Sequence, residues 1–169
     1  MLQIIILVLS LALANFVVGD DFESDEPKCE ANYGTNGPEF PCSGSLSTDY
    51  RCNSTFLNIF DTPFYNCSNV NIFWDAPRNN LTLTIEAANY TNLKQPFAVS
   101  LSNRLGLVPV YRIYSNEQEV LISKTEEKQS VHTSDENYQV VLKFKGPQRF
   151  QLYGTFIEYQ VAPINASAS

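Results

Sequence analysis

The residues in this chain best equipped for chemistry are four cysteines, one histidine and eighteen carboxylates. Cys29, Cys42, Cys52 and Cys67 follow one another at intervals of 13, 10 and 15 residues. No Cys-x-x-Cys occurs, the spacing fits no zinc knuckle, and one histidine cannot complete a set, so no metal is expected. An even cysteine count behind an apolar leader reads as two disulfides, with all three pairings open. Such bridges are worth about 2–4 kcal/mol each in the entropic account. They would also leave no free thiol for a Cys–His mechanism. His132 lies in Ser130-Val131-His132-Thr133-Ser134, expected as a loop. Its serine neighbours invite a nucleophile–base reading. However, no Gly-x-Ser-x-Gly elbow is present, and neighbours in sequence do not make a triad. Glu86 and Glu158 fall in extended runs, and a glycoside hydrolase would need two such acids converging on a cleft. On outward strand faces they meet water or lysine instead. The seven glycines are scattered and form no phosphate-binding loop. No catalytic residue and no cofactor are therefore expected, and the chain does not read as an enzyme.

Surface chemistry is more plentiful. Asn-x-Ser/Thr sequons stand at Asn53, Asn66, Asn80, Asn89 and Asn165, and each marks an exposed turn if it carries a glycan. Asn66 directly precedes Cys67, an expected disulfide partner. Most basic charge comes late in the chain. Lys143 and Lys145 share one face of an alternating run, which fits either a solvent face protected from aggregation or a contact for an acidic partner. Tyr111, Tyr114, Tyr153 and Tyr159 are possible aromatic anchors. The binding candidates are Tyr111, Tyr153, Lys143 and Lys145.

These residues must be positioned by β-structure. Beyond Cys67 the pattern has period two. Leu81, Leu83 and Ile85 alternate with Thr82, Thr84 and Glu86. Phe97, Val99 and Leu101 do the same, as do Val140, Leu142 and Phe144. Val108–Tyr114 is β-branched and aromatic, Glu119–Ser123 is short and mixed, and residues 150–161 alternate again. Turn residues at Pro77–Asn80, Ser115–Glu117 and Gly146–Pro147 separate the runs. Residues 30–55, rich in Gly, Asn, Ser and Pro, read as loop stapled by cysteines. No 3.6-residue stripe and no internal repeat is evident. Short strands with regular turns predict an all-β, antiparallel two-sheet sandwich or barrel.

Length and charge set the frame. The chain has 169 residues, 44% apolar and 12% aromatic, with a net charge of −7. The charge has the wrong sign for a nucleic-acid binder. Residues 1–19 are uncharged and mostly apolar. The apolar stretch would make about 22 Å of helix, short of a ~30 Å bilayer core, so it reads as a signal peptide. Cleavage is expected after Gly19, with Ala12-Leu13-Ala14 as the alternative. No later apolar run and no hydrophobic tail is present, so a secreted chain without a membrane anchor is expected. Residues 20–28 hold five acids and read as a solvated linker, or alternatively as a calcium or basic-partner contact. The expected organisation is residues 1–19 signal peptide, 20–28 linker, 29–66 disulfide-stapled segment, 67–162 β-sandwich and 163–169 tail.

Two stretches carry a resemblance. Ile72-Phe73-Trp74-Asp75-Ala76-Pro77 leads into Leu81-x-Leu83-x-Ile85-Glu86. Later, Thr133-Ser134 and a turn lead through Tyr138-x-Val140-x-Leu142-x-Phe144 to Phe156-Ile157-Glu158-Tyr159. In order and spacing these resemble the CUB and CUB-like domains of secreted animal proteins over residues 67–160, with Cys67 as the cysteine before the first strand. The resemblance implies a two-sheet jelly-roll sandwich that binds extracellular proteins, in a family with links to innate immunity. A lectin-like, glycan-binding jelly roll is the alternative. Many CUB domains hold calcium through one Glu and two Asp. Here Phe97–Ile113 contains no acid, which leaves only Glu86 and Asp135 as candidates.

Overall fold

A computed structural model describes residues 29–86, 95–102, 108–123, 129–147 and 153–164. The leader, the acidic linker, Asn89 and Asn165 lie outside the described residues. The described chain is almost entirely β-structure: β1 (Asn32–Thr35), β2 (Ser43–Ser47), β3 (Ser54–Asn58), β4 (Asn69–Asp75), β5 (Asn80–Glu86), β6 (Phe97–Ser102), β7 (Val110–Ile113), β8 (Glu119–Leu121), β9 (Gln129–Thr133), β10 (Gln139–Lys145) and β11 (Gly154–Pro163). They form two packed sheets, one of six strands in the order β1-β2-β4-β11-β6-β9 and one of five in the order β3-β5-β10-β7-β8. From β2 to β7 each strand lies in the sheet opposite its predecessor. The expected two-sheet sandwich is present. Both sheets are mixed rather than purely antiparallel, because β2 runs parallel to β4 and β3 parallel to β5.

The core follows from period-two alternation. In the six-stranded sheet Ile72, Trp74, Val99, Leu101, Ile157 and Tyr159 point inward. They meet Leu81, Leu83, Ile85, Val140, Leu142 and Phe144 of the other sheet. Trp74 stands edge-on to Phe144 with ring centroids 6.4 Å apart. This is the tilted geometry that aromatic quadrupoles favour.

Residues 30–55, expected as loop, instead supply β1, β2 and the start of β3. Their composition argues against strands, but local covalent and packing constraints override it. Cys42–Cys67 joins the residues just ahead of parallel β2 and β4, and the Asn71 amide donates to the Cys42 carbonyl at 3.0 Å. Cys29–Cys52 draws the chain beside β3, where the Phe56 amide donates to the Cys29 carbonyl. Between β3 and β4 two 3-10 turns, Ile59–Asp61 and Pro63–Asn66, bury Ile59 and Phe64. The Asn58 and Thr62 side chains cap them by accepting from the Phe60 and Phe64 amides. Gly44 is required here: a Cβ would lie 2.1 Å from the Gly34 carbonyl oxygen and 2.9 Å from the Phe64 ring. His132, expected in a loop, sits on β9, which pairs antiparallel with β6.

Three outcomes test this arrangement. Replacing Cys42 and Cys67 together with serine should lower unfolding free energy by about 2–4 kcal/mol in a urea titration. Amide exchange at Asn71 should accelerate in the same variant. Gly44→Ala should cost at least ~1–3 kcal/mol, because the opposing atom is backbone and cannot yield.

Candidate functional site

On the outer face of the five-stranded sheet, register places Phe56, Thr82, Lys143, Tyr111 and Leu121 in one row. Three of the four predicted binding residues meet here. The Lys145 ammonium lies 3.9 Å from the Tyr111 ring centroid, a cation–π contact. Lys143 donates to the Glu119 carboxylate, and Lys145 lies 3.8 Å from its other oxygen. The Lys143 hydrogen bond, followed by the lysine charges, holds the Glu119 carboxyl below its ordinary range. One carboxylate and one ring thus already engage both amines. At the end of this face the Asn80 amide donates to the Asn53 carbonyl at 3.1 Å, so two sequon asparagines stand side by side. Asn66 is exposed at the end of the second 3-10 turn. Tyr153 is not part of this cluster. It is 95% exposed at the far side of the sandwich, where its carbonyl accepts from the Ala76 amide.

The residues that sequence alone allowed as catalytic or calcium-binding have structural partners. Glu86 and Glu158 lie on the outer faces of opposite sheets, so they share no cavity. Glu86 accepts from the Gln139 side-chain amide. Arg112 of β7 points inward and is 1% exposed. Its guanidinium donates to the Val141 and Gln139 carbonyls at 3.2 and 2.9 Å and stacks 5.3 Å from the Tyr114 ring centroid. Asp135 faces it at 3.9 Å, and one Asp135 oxygen also accepts from the Asn137 and Gln139 amides. Nearby, His132 Nε2 and the Ser130 hydroxyl are 2.9 Å apart. That hydroxyl belongs to a residue only 7% exposed, and Ser134 Oγ accepts from the Phe97 amide. The Ser–His–Ser run therefore helps tie β9 and the residue after it to β6.

The outer face of the six-stranded sheet has a different chemistry. Register pairs Phe73 with Phe156, and their rings lie 5.1 Å apart at 57°. Phe156 is 51% exposed. The Phe73 ring occupies the space above Gly154: a Cβ there would meet it at 2.0 Å. Beside Phe73 an open groove of about 460 Å³ runs over β1 and β2, lined by Asn32, Gly34, Ser45, Ser47 and Asp75. Gly34 and Ser45 are small, so the floor is low where the aromatic pair is high.

Phe73, Phe156, Asp75 and Asn32 were not among the sequence-derived binding residues. A signal for them exists in the alternation itself. In β4 Val70, Ile72 and Trp74 point inward, and in β11 Ile157 and Tyr159 do. Phe73 and Phe156 are apolar residues in the outward phase of these strands. Cross-strand pairing then brings the two exceptions together, which sequence alone does not show.

Compared with known proteins, the chain matches no protein-family model and no curated protein.

The Arg112 cluster carries a testable pH dependence. Burial, and then the Arg112 charge, push the His132 imidazole below its ordinary pKa. Its neutral form is therefore favoured in the folded state. Stability is fully present above pH 6.5 and declines as the pH falls below it, where the unfolded chain takes up the proton. As His132 is the single histidine, the interval from pH 6.5 to 5 isolates it from the carboxylates. Wild-type Tm should fall across that interval. His132→Gln, which retains a polar partner for Ser130, should flatten the profile in scanning calorimetry.

Proposed function

We propose that this chain is a secreted, glycosylated, CUB-like binding protein that acts through extracellular protein interaction, with a role in innate defence. The observation that carries this reading is an exposed aromatic ridge on a disulfide-stapled sandwich. Phe73, Phe156 and Tyr153 stand on or beside one sheet face, outside the buried core cluster. Exposed aromatics that the core does not use are the usual material of protein contact sites. Two disulfides support an oxidising compartment. No described helix is long and apolar enough to cross a membrane. The alternation of strands between two sheets supports the jelly-roll winding that the resemblance implies.

A second reading, a lectin-like glycan binder, is favoured by one specific feature, the Phe73–Phe156 pair beside a groove holding Asp75 and Asn32.

Secretion from an animal cell line tests the first part. The protein should appear in the medium and shift to lower mass on enzymatic removal of N-glycans. Replacing Asn53 and Asn80 with Gln should remove part of that shift. Used as bait against extracellular and surface proteins, it should retain a partner saturably. Retention should fall at least tenfold in Phe156→Ala if the ridge is the contact. An empty capture would leave the protein-binding reading without support.

A further inference from the structure

The six strands of the larger sheet contain neither Lys nor Arg. All strand cations among the described residues, Arg112, Lys143 and Lys145, belong to the other sheet. The outward positions of the larger sheet are instead mostly hydroxyls and amides, with two carboxylates, two phenylalanines and Val131: Ser45, Asn71, Glu158 and Gln160 are among them, with Asp75 beside the groove. Among the described residues these strands offer phosphate, sulfate and carboxylate ligands no cation, and their two carboxylates repel such anions. It suits a ligand with apolar C–H faces and many neutral hydroxyl donors and acceptors.

We propose that the groove beside Phe73, lined by Asn32, Ser45, Ser47 and Asp75, binds an uncharged hexopyranose oligosaccharide. This inference rests on the glycan-binding reading and names its ligand class and site. The volume of about 460 Å³ lies within the roughly 300–1,000 Å³ typical of small-ligand clefts. Phe73 lines the groove and supplies an apolar ring of the kind on which a sugar rests its C–H face, and Phe156 buttresses that ring with its centroid 5.1 Å away. Asp75, exposed at the groove, can accept two hydroxyl donors in charge-assisted hydrogen bonds. The Asn32 amide and the Ser45 and Ser47 hydroxyls both donate and accept, matching the mixed edges of a pyranose. Gly154 has a part in this, because only a residue without a side chain lets the Phe73 ring lie across β11. The described sequons Asn53, Asn66 and Asn80 lie off this sheet's strands, so the protein's own glycans at these positions are not rooted on the groove face.

The test uses the full secreted protein on an immobilised panel of neutral oligosaccharides, comprising N-acetylglucosamine, mannose and galactose oligomers. Sialylated and sulfated oligosaccharides serve as the contrast set. The expected result is saturable binding to a neutral member, none to the anionic set, and at least a tenfold loss in Phe156→Ala and in Asp75→Asn. Gln118→Ala, an exposed position between β7 and β8 of the other sheet, should bind as wild type. Both loss variants are exposed positions, and their Tm confirms folding. If Phe156→Ala fails to fold, Asp75→Asn decides alone. No neutral binding, a preference for the anionic set, or binding unchanged in both variants would overturn the inference. A protein partner retained by the bait alongside an empty panel would sink the groove ligand and leave the protein-binding reading standing.

Discussion

The structure depends on holding two pairs of parallel strands at the start of the sandwich. Parallel neighbours cannot be joined by a tight hairpin and need a crossover. Here each crossover is itself a strand of the other sheet. β3 separates β2 from β4, and β4 separates β3 from β5. The first strands of such a winding are short and polar, and β2 is Ser-Gly-Ser-Leu-Ser. Little apolar area on these strands favours the correct register over its neighbours. The disulfides supply what side-chain burial does not. Cys42–Cys67 sets β2 level with β4, and Cys29–Cys52 sets the entering chain level with β3. Every later strand pairs onto this frame, with β11 on β4 and β10 on β5.

With the frame held, the rest of the fold is dictated by alternation, and its irregularities are where polar groups enter the interior. Arg112 is the clearest case. Desolvation disfavours its charge, and two strand carbonyls, one carboxylate at 3.9 Å and an aromatic face compensate. Together they fasten β7, β10 and the turn leading into β10. In that turn Tyr138 adopts φ of +60°, and Asp135 accepts two amides on either side of it. Such a residue is costly in an unsupported turn and is held here by hydrogen bonds on both flanks. Removing one partner of such a buried pair is strongly destabilising, because it strands the other charge.

How much was legible in the sequence follows from the same physics. β5, β6 and β10 were readable because each has three buried apolar residues in strict alternation. β1, β2 and β3 were not, because Gly, Ser and Asn carry no period-two signal and covalent links between distant residues hold them in place. β9 was missed for a related reason. Its inward residues are Ser130 and His132, so its inner face is polar and looks like a loop. The cation face was partly legible, since Lys143 and Lys145 share a phase and Tyr111 lies across from Lys143. Tyr153 could not be assigned to the opposite side without knowing which sheet residues 153–163 join. The aromatic pair beside the groove was hidden because it joins one out-of-phase phenylalanine from each of two strands, Phe73 and Phe156, 83 residues apart in sequence.

The two outer faces then differ for a reason built into the winding. β10 carries both half-buried lysines of the described strands and lies at the centre of the smaller sheet, between β5 and β7. Its side chains therefore radiate over a face that also carries Tyr111, Glu119 and the adjacent sequons. A carboxylate and a ring absorb its cations, and glycans at Asn53 and Asn80 would crowd its end. The larger sheet has β11 near its centre, and β11 contributes Phe156 and Glu158 outward but no amine. Small side chains on β1 and β2 lower the surface beside that centre and create the groove. The strands pinned by cysteine chemistry, too poor in apolar residues to secure themselves, are the ones that form its floor. The disulfides thus make it possible to line an open groove with Gly and Ser at the edge of a stable sheet.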